Sequence, residues 1–121
     1  MNRSLQRLVL LASVALAACA APQLFHPQLS MLDKGLAPAE VVARLKQAPL
    51  STHRVTAGSR AFDFHRYNLN NGLQADLYFL AYERDRLVFW GYVTEFRRQP
   101  DAELSQALTA ALREVATARV P

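Results

Sequence analysis

Cysteine is almost missing from this chain: one thiol, Cys19, stands among 121 residues. An intramolecular disulfide is therefore excluded, and a disulfide-stapled domain with it. A long apolar run is missing too. The uncharged stretch Leu8–Ala18 covers eleven residues, about half of the roughly 20 that a membrane-crossing helix needs. Basic residues are not concentrated: 14 Lys and Arg are interspersed with 10 Asp and Glu, as in Tyr82-Glu83-Arg84-Asp85-Arg86-Leu87. A nucleic-acid binder would show a basic stripe, so no nucleic acid is expected among the partners. His26, His53 and His65 are scattered, with no i, i+4 pair to ligate a metal. Gly58-Ser59 lacks the flanking glycine pattern of a nucleophilic serine. There is no repeat and no low-complexity tract. These absences leave no cofactor, metal site or catalytic residue to assign, and the expectation is a protein that is not an enzyme.

What is present begins at the amino terminus. Met1–Arg7 carries Arg3 and Arg7 and no acid, and the uncharged Leu8–Ala18 follows. A basic segment, an apolar stretch of about 7–15 residues and small residues at its end are the parts of a secretory signal. Residues 1–18 are read as that signal. Leu16-Ala17-Ala18-Cys19 then resembles the lipobox of bacterial lipoproteins at every position. The resemblance implies a diacylglycerol on the Cys19 sulfur, cleavage between Ala18 and Cys19, and acylation of the new amino terminus. Only a thiolate is nucleophilic enough to form that thioether, which explains why the one cysteine of an exported chain sits here. Several acyl chains, at about 0.8 kcal/mol per buried methylene, anchor stably, so a membrane is an expected partner. Ala20 rather than Asp follows the cysteine, which in the enterobacterial sorting pattern resembles a cargo of the outer membrane, held on its periplasmic side. An ordinary signal with an incidental cysteine is the alternative.

Without residues 1–18, the remaining chain holds 12 basic and 10 acidic side chains, a net charge of +2. Residues 19–34 carry Pro22 and Pro27 without clean periodicity and read as a lipidated terminus and a leash, with Met31 and Leu32 at its packed end. A leash folded fully onto the domain is the other reading. Residues 35–121 read as one small domain whose core is limited by its size.

Within it, Pro38 and Glu40 suit the first turn of a helix, Val41, Val42, Leu45 and Ala48 share one face, and Pro49 ends it. Thr52–Thr56 suits a short strand before a turn at Ala57-Gly58-Ser59, and Arg60–Leu69 alternates Phe62 and Phe64 with Asp63 and His65. Asn70-Asn71-Gly72 marks a turn. Leu73–Glu83 and Arg86–Phe96 read as two long strands joined at Arg84-Asp85, a pair that a tight mirror-image turn does not prefer. If Glu83 pairs with Arg86, one face collects Leu77, Phe79, Val88, Trp90 and Tyr92, and the other Tyr78, Leu80, Tyr82, Leu87, Phe89 and Val93. Both faces are apolar, whereas an antiparallel sheet usually wets one. A second helix follows over about 100–118, with Leu104, Leu108, Ala111, Leu112 and Val115 in one stripe. Helix, about three antiparallel strands, helix predicts an α+β two-layer sandwich.

Gly35-Leu36-Ala37-Pro38-Ala39-Glu40-Val41, with Leu45 and Pro49, resembles the opening of the BamE-like, or SmpA/OmlA, outer-membrane lipoproteins. The resemblance spans about residues 31–96. It implies a helical part packed on a three-stranded antiparallel sheet and a role in outer-membrane protein assembly. Ala37 stands where that family prefers a capping Thr, Lys46 replaces a glycine, and the helix from Pro100 is outside the pattern. No functional residue transfers, because the matched positions are structural.

The candidate binding residues are aromatic. Trp90 with Tyr92, and Tyr78 with Tyr82, form a patch for an envelope protein partner if the two helices leave one sheet face open. If the Pro100 helix covers that face, the same rings are core. A second reading, a periplasmic small-ligand binder or enzyme, uses Asp63 and His65, which share a strand face as base and orienter. A third is a purely structural envelope lipoprotein.

Overall fold

The computed structural model describes residues 22–118. The signal segment, Ala18 and Cys19 lie outside the described residues. The order is β1 (Leu24–Phe25), a 3-10 helix (His26–Met31), α1 (Pro38–Leu45), β2 (Ser51–Ala57), β3 (Arg60–Asn70), β4 (Ala75–Glu83), β5 (Arg86–Tyr92), α2 (Val93–Arg98) and α3 (Ala102–Ala118).

Three of the helices start by one device. A residue with no capping side chain is followed three positions later by a carboxylate or amide that accepts its free backbone N–H. Glu40 Oε1 takes the Ala37 amide at 3.3 Å, Gln28 Oε1 the Phe25 amide at 2.7 Å, and Glu95 Oε1 the Tyr92 amide at 2.9 Å. Lys46, at φ 57°, closes α1 in the left-handed region.

The sheet is built from successive hairpins. Gly58 and Ser59 join β2 to β3, with Ala57 opposite Arg60. Glycine suits position 58 because φ there is +62°, and a Cβ would push aside the Glu103 carboxylate of α3, 2.5 Å away. Residues 71–74 join β3 to β4. Arg84 and Asp85, at φ 53° and 58°, make the mirror-image turn that pairs Glu83 with Arg86. β1 adds in parallel to the far end of β3, Leu24 beside Leu69 and Phe25 beside Asn70.

The α+β class is the one read from the sequence, with a helix before the hairpins and a helix after them. Two features extend it. Four antiparallel strands and the short parallel β1 make up the sheet. Helical segments also cover both of its faces. On one, α2 and α3 bury Phe62, Phe64, Phe79, Ala81, Phe96, Leu104 and Leu108. On the other, β1, the 3-10 helix and α1 bury Leu24, Leu32, Val41, Leu45, Tyr67, Leu69, Leu80 and Tyr82. This double cover is why both faces of the hairpin are apolar.

Three expectations change. Residues 22–34 are not a leash: Leu24 and Leu32 are buried, and pairing with β3 fixes β1, so the folded domain begins well before Gly35. The last strand ends at Tyr92, and Val93–Arg98 turns helical once Glu95 caps Tyr92. A bulge between Ala81 and Tyr82 leaves Val88 as an extra residue, with Phe89 opposite Ala81 and Leu87 opposite Tyr82. That single insertion exchanges the faces beyond it. Phe89 joins Phe79 and Phe96, while Trp90 and Tyr92 join Tyr78 and Leu80.

Candidate functional site

Asp63 and His65 point from β3 to one sheet face, as expected, but they are not joined by a hydrogen bond. Arg54, opposite Asp63 on β2, takes both carboxylate oxygens at 2.8 and 3.0 Å. That fork holds the Asp63 carboxyl below its usual range. The His65 ring lies 4.6 Å from the Tyr82 ring, centroid to centroid, and its buried Nδ1 has no hydrogen-bond partner. Burial lowers the imidazole's affinity for a proton, against a smaller opposing pull from Asp63. A base and its orienter are thus not assembled.

The four aromatics separate into two kinds. Tyr82 is 0 % exposed and Tyr78 4 %, so these two are core and no partner can reach them; that part of the expected patch is corrected. The cause is the cover of α1 and the 3-10 helix on this face. Tyr92 and Trp90 are half-buried at its margin. The Tyr92 ring meets Tyr78 edge-on at 5.1 Å, and its hydroxyl stands 3.5 Å from His26 Nε2, at the outer limit of a hydrogen bond. An open cleft of about 570 Å³ adjoins it, lined by Asn71, Asp76, Leu77, Tyr92, Val93 and Thr94.

The Tyr82 hydroxyl is buried without a hydrogen-bond partner, and burial pushes its ionisation well above the ordinary phenol value. An unsatisfied buried hydroxyl opposes folding by about 1–3 kcal/mol. Tyr82→Phe should therefore be neutral or stabilise by up to about 1 kcal/mol. Urea denaturation checks this; a clear loss of stability would show that the hydroxyl is bonded.

Charge gathers at the opposite end of the sheet. Arg60 donates to Glu83 at 2.8 and 2.9 Å and to Asp101 at 2.8 Å, and its guanidinium lies 4.7 Å from the Phe62 ring centroid. These bonds tie β3 to β4 and to the start of α3, and they hold both carboxyls below their usual range. A second pocket of about 310 Å³ opens here, with Arg54, Asp63, Arg84 and Asp85 on its wall. Sequence reading passed over Arg60, because its partners lie 23 and 41 residues away.

The same groups set the acid response. His65, Asp63, Glu83 and Asp101 all bind protons less readily than their ordinary values allow. The unfolded chain takes up those protons first, so each contribution is complete above the ordinary value and is lost as pH falls through the folded one. The His65 part begins to fade below pH 6.5 and the carboxylate part below about 4.5. Measured against a His65→Gln variant, the natural chain should lose melting temperature between pH 7.5 and 5.5. An unchanged difference would remove His65 from the account.

Among the described residues, no group of three or more His, Cys, Asp or Glu is placed to hold a metal ion, and no helix is long and apolar enough to cross a membrane. The comparisons with known proteins are negative throughout: no family model, no curated protein and no solved structure matches this chain.

Proposed function

We propose that this protein is a lipoprotein of the bacterial outer membrane. It is anchored on the periplasmic side through acyl chains on Cys19 and acts as a binding or scaffolding module without enzymatic activity. The observation that carries the reading is Leu16-Ala17-Ala18-Cys19 behind a basic, then apolar, amino terminus, with no other thiol in the chain. Support for a module that binds protein comes from Trp90 and Tyr92, which remain at the margin of a covered sheet, and from β5 at the sheet's end. Its Leu87 end is taken by backbone hydrogen bonds of 2.8 Å with Gly35 and Leu36, but no further strand follows beside residues 89–92 among the described residues. An envelope protein that adds a strand there, or stacks on the two rings, is the partner this surface suits. Outer-membrane protein assembly is the process in which we place it, on the BamE-like resemblance of residues 31–96.

The test has two parts. Cys19→Ala should remove the protein from the outer-membrane fraction, because it blocks both the thioether and the cleavage before residue 19, and the mass of the natural chain's amino-terminal peptide should show acylation. Crosslinking in living cells should capture an envelope protein, and Trp90→Ala with Tyr92→Ala should weaken that capture without changing the circular dichroism spectrum. A free thiol at Cys19 would overturn the anchor. No specific capture would favour a purely structural lipoprotein.

A further inference from the structure

The lipid anchor proposed above has a geometric consequence. Cys19 precedes Leu24 by five residues, which span at most about 17 Å of extended chain. Leu24 is immobilised: it is fully buried, and it pairs with Leu69 at the end of β3. Gln23, one residue earlier, accepts a hydrogen bond of 3.0 Å from Asn70. An anchored chain therefore keeps the β3–β4 hairpin end near the headgroups, whereas the Arg84-Asp85 turn lies a full length of β4, about 27 Å, farther along the sheet.

Three large apolar side chains are exposed among the described residues, and two of them stand at this end. Leu73, 98 % exposed, is in the loop between β3 and β4, and Phe25, 54 % exposed, pairs beside Asn70. A lone surface leucine is ordinary, but this loop is braced to hold one outward. Asn71 Oδ1 accepts the N–H groups of Leu73 and Gln74 at 3.0 Å each, and Asn70 Oδ1 accepts that of Gly72 at 2.8 Å. Asn71 and Gln74 both donate to Asp76, at 2.8 and 3.1 Å. Charge supplies an independent indication. Residues 22–32 and 67–75 contain no Asp, Glu, Lys or Arg, while Glu83-Arg84-Asp85-Arg86, Arg60 and Asp101 crowd the other end. An amide-rich tip that carries Leu and Phe, with Asp76 at its base as the one carboxylate bonded to the loop, suits the boundary between headgroups and acyl chains.

We propose that the hairpin end seats directly on the bilayer that holds Cys19, with Leu73 and Phe25 entering the headgroup region and the charged end facing the periplasm. The anchor supplies attachment, and the tip supplies orientation.

The full-length acylated chain, reconstituted into phosphatidylcholine vesicles with or without nitroxide-labelled lipid, tests this. Because the Cys19 sulfur is consumed by the thioether, a fluorophore can be placed on a single new thiol, at Gln74→Cys or at Ser59→Cys on the opposite end. Lipid quenching should be several-fold stronger at 74 than at 59, and adding Leu73→Asp to Gln74→Cys should remove at least half of it. Equal quenching at the two sites on a chain whose amino-terminal peptide has the acylated mass overturns the seating and leaves the anchor intact. An unacylated peptide removes both. Quenching between labelled chains, the sign of a second copy on the tip, also overturns it.

Discussion

Phe64→Ala should destabilise the domain by about 3–5 kcal/mol, the range for removing a phenylalanine ring from a closed core. Phe64 is fully buried, and its ring sits among Phe62, Phe79 and Phe96 at centroid distances of 6.2, 6.5 and 6.1 Å. Two of these are edge-on contacts between β3 and the elements it must hold, β4 and α2. Alanine leaves a void bounded by strands that are fixed by hydrogen bonds on either side, so collapse recovers little. For a domain of this length the melting temperature should fall by about 15–25 °C. Phe64→Leu, which keeps most of the volume, should cost much less. Trp90, the chain's only tryptophan, reports from the opposite face of the sheet. Its fluorescence and the circular dichroism should be lost in one transition, because β3 and β4 contribute side chains to both clusters. A Trp90 transition that stayed put while the helical signal melted would show that the two faces fold independently.

Much of this architecture was legible in the sequence where the signal is local. The stripe Leu104, Leu108, Ala111 and Val115 predicted α3, Pro38 and Glu40 placed α1, and Glu83 does pair with Arg86, the condition on which the two faces were assigned. What escaped is non-local or hinges on one residue. Nothing in Pro22–Met31 announces a parallel pairing with residues more than forty positions later, since a two-residue strand has no period. The extra Val88 is invisible in an alternation whose two faces are both apolar, yet it decides which side Trp90 occupies. At Val93–Phe96 the pattern suits strand and helix alike, and the Glu95 cap settles it. The Asp63–His65 couple failed for a related reason: spacing put both on one face, but the residue opposite Asp63 is Arg54, and only register reveals that. Leu73 had a signal that went unused, an isolated apolar residue inside Asn-Asn-Gly-Leu-Gln.

Leu24→Asp should free the amino-terminal strand while leaving the rest of the sheet folded. Leu24 is fully buried in the cluster with Leu69 and Leu80, and an unpaired carboxylate cannot be kept there without a cost of several kcal/mol. The cheaper outcome is local, because β1 is held by two register positions on the edge of β3, and β2 to β5 do not depend on it. Backbone amides of residues 24–31 should lose hydrogen-exchange protection, and those of β4 and of β3 before Leu69 should keep theirs. The anchored chain then gains a true leash. The first fixed residue becomes Leu32, thirteen positions after Cys19, and the reach grows from about 17 Å to about 45 Å. Lipid quenching of a probe at Gln74 should drop several-fold, although Leu73 is still present and the anchor is untouched. Quenching that persisted with β1 released would mean that the tip finds the bilayer by itself, and that the short tether has no part in orienting the domain.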